Sequence, residues 1–186
     1  QIRSSAASDV YKRQYQDSLP ISSDAIMERL DNWGIAYTRA DHVPLRTVEE
    51  SKKVQGQFLS SEQGGGHIKN LYLRDNKKRN VLLVAEQDRQ IDLKNLNTKL
   101  GTGRLSFGSV ERLMENLGVR PGAVTPLAMI NGAGTGVQLF IDSGLKSCQQ
   151  IYVHPLVNDR TLGITLEGLQ TFFDKIEIQP VWVDLK

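Results

Sequence analysis

The sequence predicts a fold of the α/β class, α+β type, in which helices flank a mixed β-sheet or a partial barrel. Helix-like and strand-like segments are mixed along the 186 residues, and they do not alternate regularly as in a doubly wound fold. The composition agrees, because 39% hydrophobic and 24% charged residues are typical of a globular protein with a substantial core. One domain is expected over residues 18–186. Residues 1–14 show no periodicity and are expected to be a non-native or disordered lead.

Five helices are predicted, each with a capping residue at its start. Ser23 and Asp24 are expected to cap the first helix, which Gly34 ends, and Thr47 and Glu50 have the spacing of a capping box. The other three helices each follow a Ser, Thr or Asp, and two of them end at a glycine. The predicted helices span residues 24–33, 47–53, 92–100, 109–117 and 166–174.

Seven short runs between the helices are predicted to be strands. Residues 68–73 and 81–85 flank the polar stretch "RDNKKRN" and predict a hairpin. Two glycine-rich stretches, residues 60–66 and 131–136, are expected to be flexible loops. The predicted strands span residues 35–38, 68–73, 81–85, 127–130, 137–142, 150–153 and 178–184.

The residue counts argue against several kinds of site. A single cysteine, Cys148, excludes an internal disulfide framework, and three histidines without metal-ligand spacing leave little for a zinc site. The formal net charge of +2 gives no strong field toward nucleic acid, so RNA contacts would depend on local groups. No run approaches the roughly 18 apolar residues of a membrane helix. A cytoplasmic protein that uses no metal and no membrane is expected.

Catalysis by positioning is the kind of mechanism that the remaining residues allow. The sequence lacks the G-x-S-x-G nucleophile elbow, the phosphate-binding P-loop and the H-E-x-x-H zinc motif. A lysine can hold an anion as a point charge, and loop amides can stabilise an oxyanion. Each candidate also has a purely structural reading, such as a helix cap or a turn. The candidates lie at predicted loop and strand ends: Thr47, Lys69, Asn70, Gly132 and His154.

Four motifs occur in order along the chain: "GGGHIKNLYLRD", "AEQDRQIDLKNL", "LGTGRLSFGSVERLMENLGVRPGAVTPLAMIN" and "VHPLVN". Together they resemble the YbaK and prolyl-tRNA-synthetase-associated editing-domain family, over about residues 21–184. Within it, the free-standing alanyl-tRNA(Pro) deacylases are the most similar group. The resemblance implies the editing-domain fold and a trans-editing enzyme that hydrolyses mischarged alanyl-tRNA(Pro) without a cofactor. A methylene or two changes binding by only about 1–3 kcal/mol, which explains why a synthetase needs such a second sieve.

The resemblance also implies roles for the candidate residues. Lys69 is the essential residue, expected to contact the terminal phosphate or otherwise fix the aminoacyl-adenosine, and Thr47 and Asn70 are expected to bind the substrate. Gly132 is expected to place a backbone amide at the ester carbonyl, and His154 to line the pocket. The ribose hydroxyl of the substrate is expected to help activate water. The implied partners are the 3′ end of tRNA(Pro) and prolyl-tRNA synthetase.

The sequence departs from the family pattern at two positions. Gln63 and Ile68 stand where the family often has a proline and a threonine, and Ile68 is expected to change the packing beneath the site. Two alternatives remain open at this point. One is a deacylase for another misacylated tRNA, carrying cysteine or serine, and the other is a catalytically silent module that binds tRNA or the synthetase.

Overall fold

Two mixed β-sheets flanked by helices form the centre of the fold. The computed structural model describes residues 16–45 and 47–186, so the predicted lead, residues 1–14, lies outside the described residues. The strands are β1 (Thr38–Asp41), β2 (Gly65–Gly66), β3 (Ile68–Asp75), β4 (Asn80–Glu86), β5 (Leu105–Phe107), β6 (Gln138–Asp142), β7 (Gln150–Val153), β8 (Arg160–Ile164) and β9 (Val181–Val183). One sheet has the order β1-β8-β7-β2 and the other the order β5-β3-β4-β6-β9. Each contains parallel and antiparallel pairs, which confirms the prediction of a mixed sheet flanked by helices.

Capping residues begin most of the helices as predicted. At α2, the Thr47 hydroxyl accepts a hydrogen bond from the Glu50 N–H, and the Glu50 carboxylate accepts one from the Thr47 N–H. The prediction for α1 is wrong by one position, because Ser22 is the cap and Ser23 is buried inside the helix. The helices are α1 (Ser23–Asn32), α2 (Val48–Val54), α3 (Leu93–Leu100), α4 (Val110–Leu117), α5 (Met129–Thr135) and α6 (Leu166–Lys175).

Two hydrophobic cores lie on opposite faces of the five-stranded sheet. Because side chains alternate along a strand, β4 sends Leu82 and Val84 into a main core that also contains side chains of the other sheet. Val81 and Leu83 enter a second core, which α3 covers. Full burial of one such side chain contributes roughly 1.5–3 kcal/mol to folding, so both faces of this sheet are well anchored.

The predictions for both glycine-rich stretches are wrong. Residues 126–128 form a 3₁₀ turn that leads directly into α5, where a strand and then a loop were predicted. A short apolar run does not distinguish a strand from a buried helix, and helix–helix packing accommodates the glycines here. Residues 60–66 are also structured: Ser61–Gln63 form a 3₁₀ turn, and Gly65–Gly66 pair with β7.

The remaining differences concern strand boundaries. The strand predicted at residues 35–38 lies at Thr38–Asp41, and the last one shortens to Val181–Val183. β5 and β8 were not predicted. In the case of β8, the strand is buried along its whole length and therefore lacks the alternation of polar and apolar residues. Within the described part of the chain, no helix is long and apolar enough to cross a membrane.

Candidate active site

A cavity of about 260 Å³ gathers four of the five predicted site residues. Thr47 stands at the start of α2, Lys69 and Asn70 lie on β3, and His154 follows β7. Thr47 and His154 are far from Lys69 and Asn70 in the sequence, and only the tertiary fold brings the four residues together. The rest of the wall consists of Leu45, Val48, Ser51, Ile68, Leu71, Gly122 and Val124.

The cavity lies along an open edge of β3. On one side, β3 pairs with β4 from Ile68 to Arg74. On the other side, β5 pairs with Leu73 to Asp75 only, and the chain then turns away after the Gly108 N–H donates to the Tyr72 carbonyl. Backbone groups of alternate residues point to the same side of an antiparallel strand, so those of Ile68 and Asn70 point to this edge. The wall of the cavity therefore offers backbone donors and acceptors as well as side chains.

Lys69 is held in place through a buried ion pair. Its Nζ donates to the backbone carbonyl of Arg89, in the loop after β4. The Arg89 guanidinium binds the buried carboxylate of Asp142 at 3.0 Å, and that carboxylate also accepts from the Glu86 and Gly144 N–H groups. Burial opposes ionisation of Asp142, but these hydrogen bonds outweigh it and lower the pKa of the carboxyl group. An ammonium has three donors, so two remain for a substrate anion.

His154 presents an acceptor to the cavity. Its Nδ1 lies 2.8 Å from the carbonyl oxygen of Arg160, and because a carbonyl only accepts, Nδ1 carries the proton. Burial lowers the pKa of His154 and keeps the imidazole neutral at pH 7. Nε2 is then unprotonated and able to accept a hydrogen bond from a hydroxyl or a water molecule. The Arg160 side chain fixes the start of β8 through a 2.8 Å ion pair with Asp24.

A second, smaller cavity of about 50 Å³ adjoins the first. The two cavities share Leu45, Ser51, Ile68 and His154. Ile68, which was expected to affect the packing beneath the site, therefore lines both cavities. Aromatic side chains enclose the smaller cavity. The His67 ring stacks on Tyr152 with centroids 5.0 Å apart, and Phe58 lies 4.7 Å from Tyr152. The other lining residues are Val54, Gln55, Val153 and Thr161.

The structure does not bring Gly132 to the other four residues. It lies inside α5, where a Cβ atom would come within 2.8 Å of Leu117 Cδ2 and 2.9 Å of Met129 Sδ. The glycine therefore serves the contact between α4 and α5, and the prediction of a loop at this position is wrong. Gly122 instead lines the larger cavity, with a positive φ of 87°. The turn "RPG" was the signal in the sequence that could have found it.

Asn70 lines the larger cavity and carries a buried acceptor atom. In the described part of the chain, its Oδ1 atom is enclosed and has no hydrogen-bond partner. A buried acceptor without a donor is costly, so this atom suits a ligand with an N–H or O–H group. No group of three or more His, Cys, Asp or Glu side chains within residues 16–45 and 47–186 is arranged to hold a metal ion.

Comparison with known proteins shows similarity over most of the chain. Residues 42–172 match the aminoacyl-tRNA editing domain family. Prolyl-tRNA editing protein ProX of Acetoanaerobium sticklandii is 36% identical over 150 residues, which are 80% of this chain and 88% of that protein. Prolyl-tRNA synthetase associated domain-containing protein 1 of Xenopus laevis is 37% identical over 147 residues, 76% of this chain and 84% of the relative.

The fold is also found among solved structures. A crystal structure described as a candidate trans-editing enzyme for prolyl-tRNA synthetase superposes with a TM-score of 0.62 and 17% identity. The superposition covers 87% of this chain and 96% of the other. At this identity the likeness concerns the fold alone.

Proposed function

The chain belongs to the aminoacyl-tRNA editing domain family and is an aminoacyl-tRNA deacylase, and on this premise we propose that its substrate is alanyl-tRNA(Pro). The observation that carries the proposal is the pair of adjoining cavities, one of about 260 Å³ and one of about 50 Å³. The larger takes the terminal adenosine and the ester, and the smaller takes the amino-acid side chain. Residues 18–186 form the editing domain.

The size of the smaller cavity supports alanine as the amino acid. A methyl group is comparable in size to a water molecule, whose share of liquid volume is about 30 Å³. The proline ring adds two further methylenes, and we expect it to overfill the space beside Phe58, His67 and Tyr152. Rejection by size is effective here because overfilling a packed site forces its side chains apart. This is the second sieve that the proline pocket of a synthetase cannot provide.

The proposed reaction is substrate-assisted. Lys69 binds an anionic oxygen of the terminal nucleotide, and His154 Nε2 accepts a hydrogen bond from a ribose hydroxyl. That hydroxyl orients a water molecule, whose oxygen attacks the ester carbonyl carbon. The bond to the ribose oxygen breaks, and the proton from water goes to that oxygen. Backbone N–H groups along the open edge of β3 stabilise the oxyanion, in place of the predicted Gly132 amide.

The partners follow from this substrate. The chain acts on the 3′ end of mischarged tRNA(Pro) and works beside prolyl-tRNA synthetase, which produces the error. The cytoplasm, where that synthetase acts, is the proposed location. No cofactor enters the proposed steps, since the substrate hydroxyl and the side chains supply the groups that are needed.

Hydrolysis of purified aminoacyl-tRNAs tests the proposal. We expect alanyl-tRNA(Pro) to be deacylated while prolyl-tRNA(Pro) survives. Lys69→Ala should lower the rate by about 10²-fold or more, as removal of a single charge-stabilising donor does. The variant should keep the wild-type circular dichroism spectrum, because Lys69 is only half-buried. Lys175→Gln, at the exposed end of α6, is the matched control and should keep full activity.

The other outcomes separate the alternatives. Cleavage of cysteinyl- or seryl-tRNA in preference to the alanyl ester would retain the deacylase and change its substrate. Tight binding of tRNA or synthetase without any cleavage would instead support a silent binding module. A fully active Lys69→Ala variant would contradict the role given to this lysine.

A further inference from the structure

An exposed aromatic side chain lies beside the open edge of β3. Phe107, the last residue of β5, is 64% exposed. The other large hydrophobic residues with comparable exposure in the described part of the chain are valines: Val43, Val110 and Val181. Exposure of a phenylalanine ring costs more than that of a valine side chain, because more apolar area stays in water. A ligand with a flat apolar face would remove this cost.

The strand register places Phe107 on the same sheet face as Lys69. Phe107 is directly opposite Leu73 in the antiparallel pair of β5 and β3, and directly paired residues point to one face. Lys69, Leu71 and Leu73 are two residues apart along β3 and share that face, where Leu73 is buried in the second core and Phe107 lies at its exposed margin. Leu73 is four positions after Lys69, which corresponds to about 13 Å of strand. Phe107 therefore lies about 13 Å from the lysine, along the direction of β3.

Basic side chains continue in the same direction. The turn between β3 and β4 carries exposed Lys77 and Lys78, and exposed Arg104 precedes β5. The Asn76 N–H donates to the Arg104 carbonyl, so Arg104 adjoins this turn. Arg79 is neutralised by Asp75 at 2.7 Å. Burial opposes the charge of Asp75, yet hydrogen bonds from Arg79 and Gly103 lower its pKa to about 2. The positive charges of the two lysines and Arg104 are thus not cancelled by this carboxylate.

We propose that this strip, formed by Lys69, Leu71, Phe107 and the basic turn, binds the single-stranded 3′ end of the RNA. The Phe107 ring stacks on a base upstream of the terminal adenosine, and Lys77, Lys78 and Arg104 contact backbone phosphates. The inference rests on the proposed function. Single strands are recognised by a positively charged track combined with aromatic platforms, which is the combination of groups found here. A length of about 13 Å is spanned by a few nucleotides.

A stacking role predicts a defect in binding and not in the chemical step. Phe107→Ala should raise the KM for alanyl-tRNA(Pro) by about 5- to 150-fold, the usual effect of removing one stacked base contact, with kcat unchanged. Phe107→Tyr and Phe107→Trp should keep a KM near that of the wild type, since their rings also stack. Val181→Ala is the matched control, because Val181 is 49% exposed on β9, the opposite edge of the same sheet. It should change neither constant.

Binding of uncharged tRNA(Pro) tests the strip independently of hydrolysis. Fluorescence anisotropy should show that Phe107→Ala lowers the affinity for the full-length transcript. The affinity for a transcript that lacks the single-stranded 3′ nucleotides should not change. Equal affinities of wild type and Phe107→Ala for the full transcript would overturn the proposal, even if the wild type is an active deacylase. Loss of synthetase binding with unchanged tRNA binding would also overturn it, and would assign the patch to a protein. A wild type that binds through Phe107 yet cleaves no ester would refute the proposed function alone.

Discussion

Burial and hydrogen bonds give two side chains of the candidate site different characters. His154 is enclosed, and this burial lowers its pKa, although the hydrogen bond to the Arg160 carbonyl acts in the opposite direction. Lys69, by contrast, is fixed through Arg89 and Asp142 and keeps donors for a substrate. One residue is therefore a neutral acceptor and the other a cationic donor, in the same cavity.

The lowered pKa of His154 predicts a specific pH dependence of stability. Above the ordinary histidine value of about 6.5, the folded and unfolded chains both hold His154 neutral. As the pH falls below 6.5, the unfolded chain takes up a proton first, so the folded state loses stability until the pH passes its own lower pKa. We expect His154→Gln to weaken this loss. Urea unfolding at pH 7.5, 6.5 and 5.5 measures it, and identical pH dependence in both proteins would contradict the assignment.

Between single residues and the whole fold, short elements shape the site. Gly65 and Gly66 form such an element, β2, which pairs with β7 and directly precedes His67 in the wall of the smaller cavity. A Cβ atom at Gly65 would lie 2.0 Å from the Leu59 carbonyl oxygen. That oxygen also lies 2.7 Å from His67 Nε2, so both residues depend on the same backbone position.

Gly65→Ala is therefore expected to destabilise the fold. Overpacking typically costs about 1–3 kcal/mol, and here the clashing atoms belong to the backbone and cannot rotate away. Thermal unfolding should show a lower Tm than the wild type. Gly56→Ala is the control, since its Cβ would meet no atom within 4 Å. An unchanged Tm for Gly65→Ala would show that residues 59–66 move easily.

Elements with local signals could be predicted from the sequence, and those fixed by packing could not. Thr47, Asp92, Ser109 and Thr165 cap their helices as predicted, because a cap is a bond between near neighbours in the chain. The position of Gly132 could not be predicted, since its place in α5 depends on contact with Leu117.

The candidate site likewise has features that local sequence signals predict and features that depend on packing. Lys69, Asn70 and His154 were named from motifs, and they do line one cavity. The contribution of Gly122 and the closeness of Ile68 to both cavities depend on how β3 meets the turn before α5. Two of the four motifs therefore predicted these polar groups, while the shape around them is a tertiary property.

At the scale of the whole molecule, a formal net charge of +2 is small for a protein that binds RNA. Attraction must then come from where charges lie rather than from how many there are. Three basic residues concentrate at one end of the five-stranded sheet, on the turn after β3 and before β5. Few phosphate contacts are therefore expected. Their number can be measured, because the slope of the logarithm of affinity against the logarithm of salt concentration is proportional to it.

A plot of the logarithm of kcat/KM against the logarithm of salt concentration should have a shallow slope. Each contact with a single strand contributes about −0.7, so the four contacts of Lys69, Lys77, Lys78 and Arg104 predict about −3. Replacing Lys77, Lys78 and Arg104 together with glutamine should flatten the slope to about −0.7, because only the contact of Lys69 then remains. Lys175→Gln, far along the chain at the end of α6, should leave the slope unchanged. A steep slope that persists in the triple variant would place the main phosphate contacts on another face of the molecule.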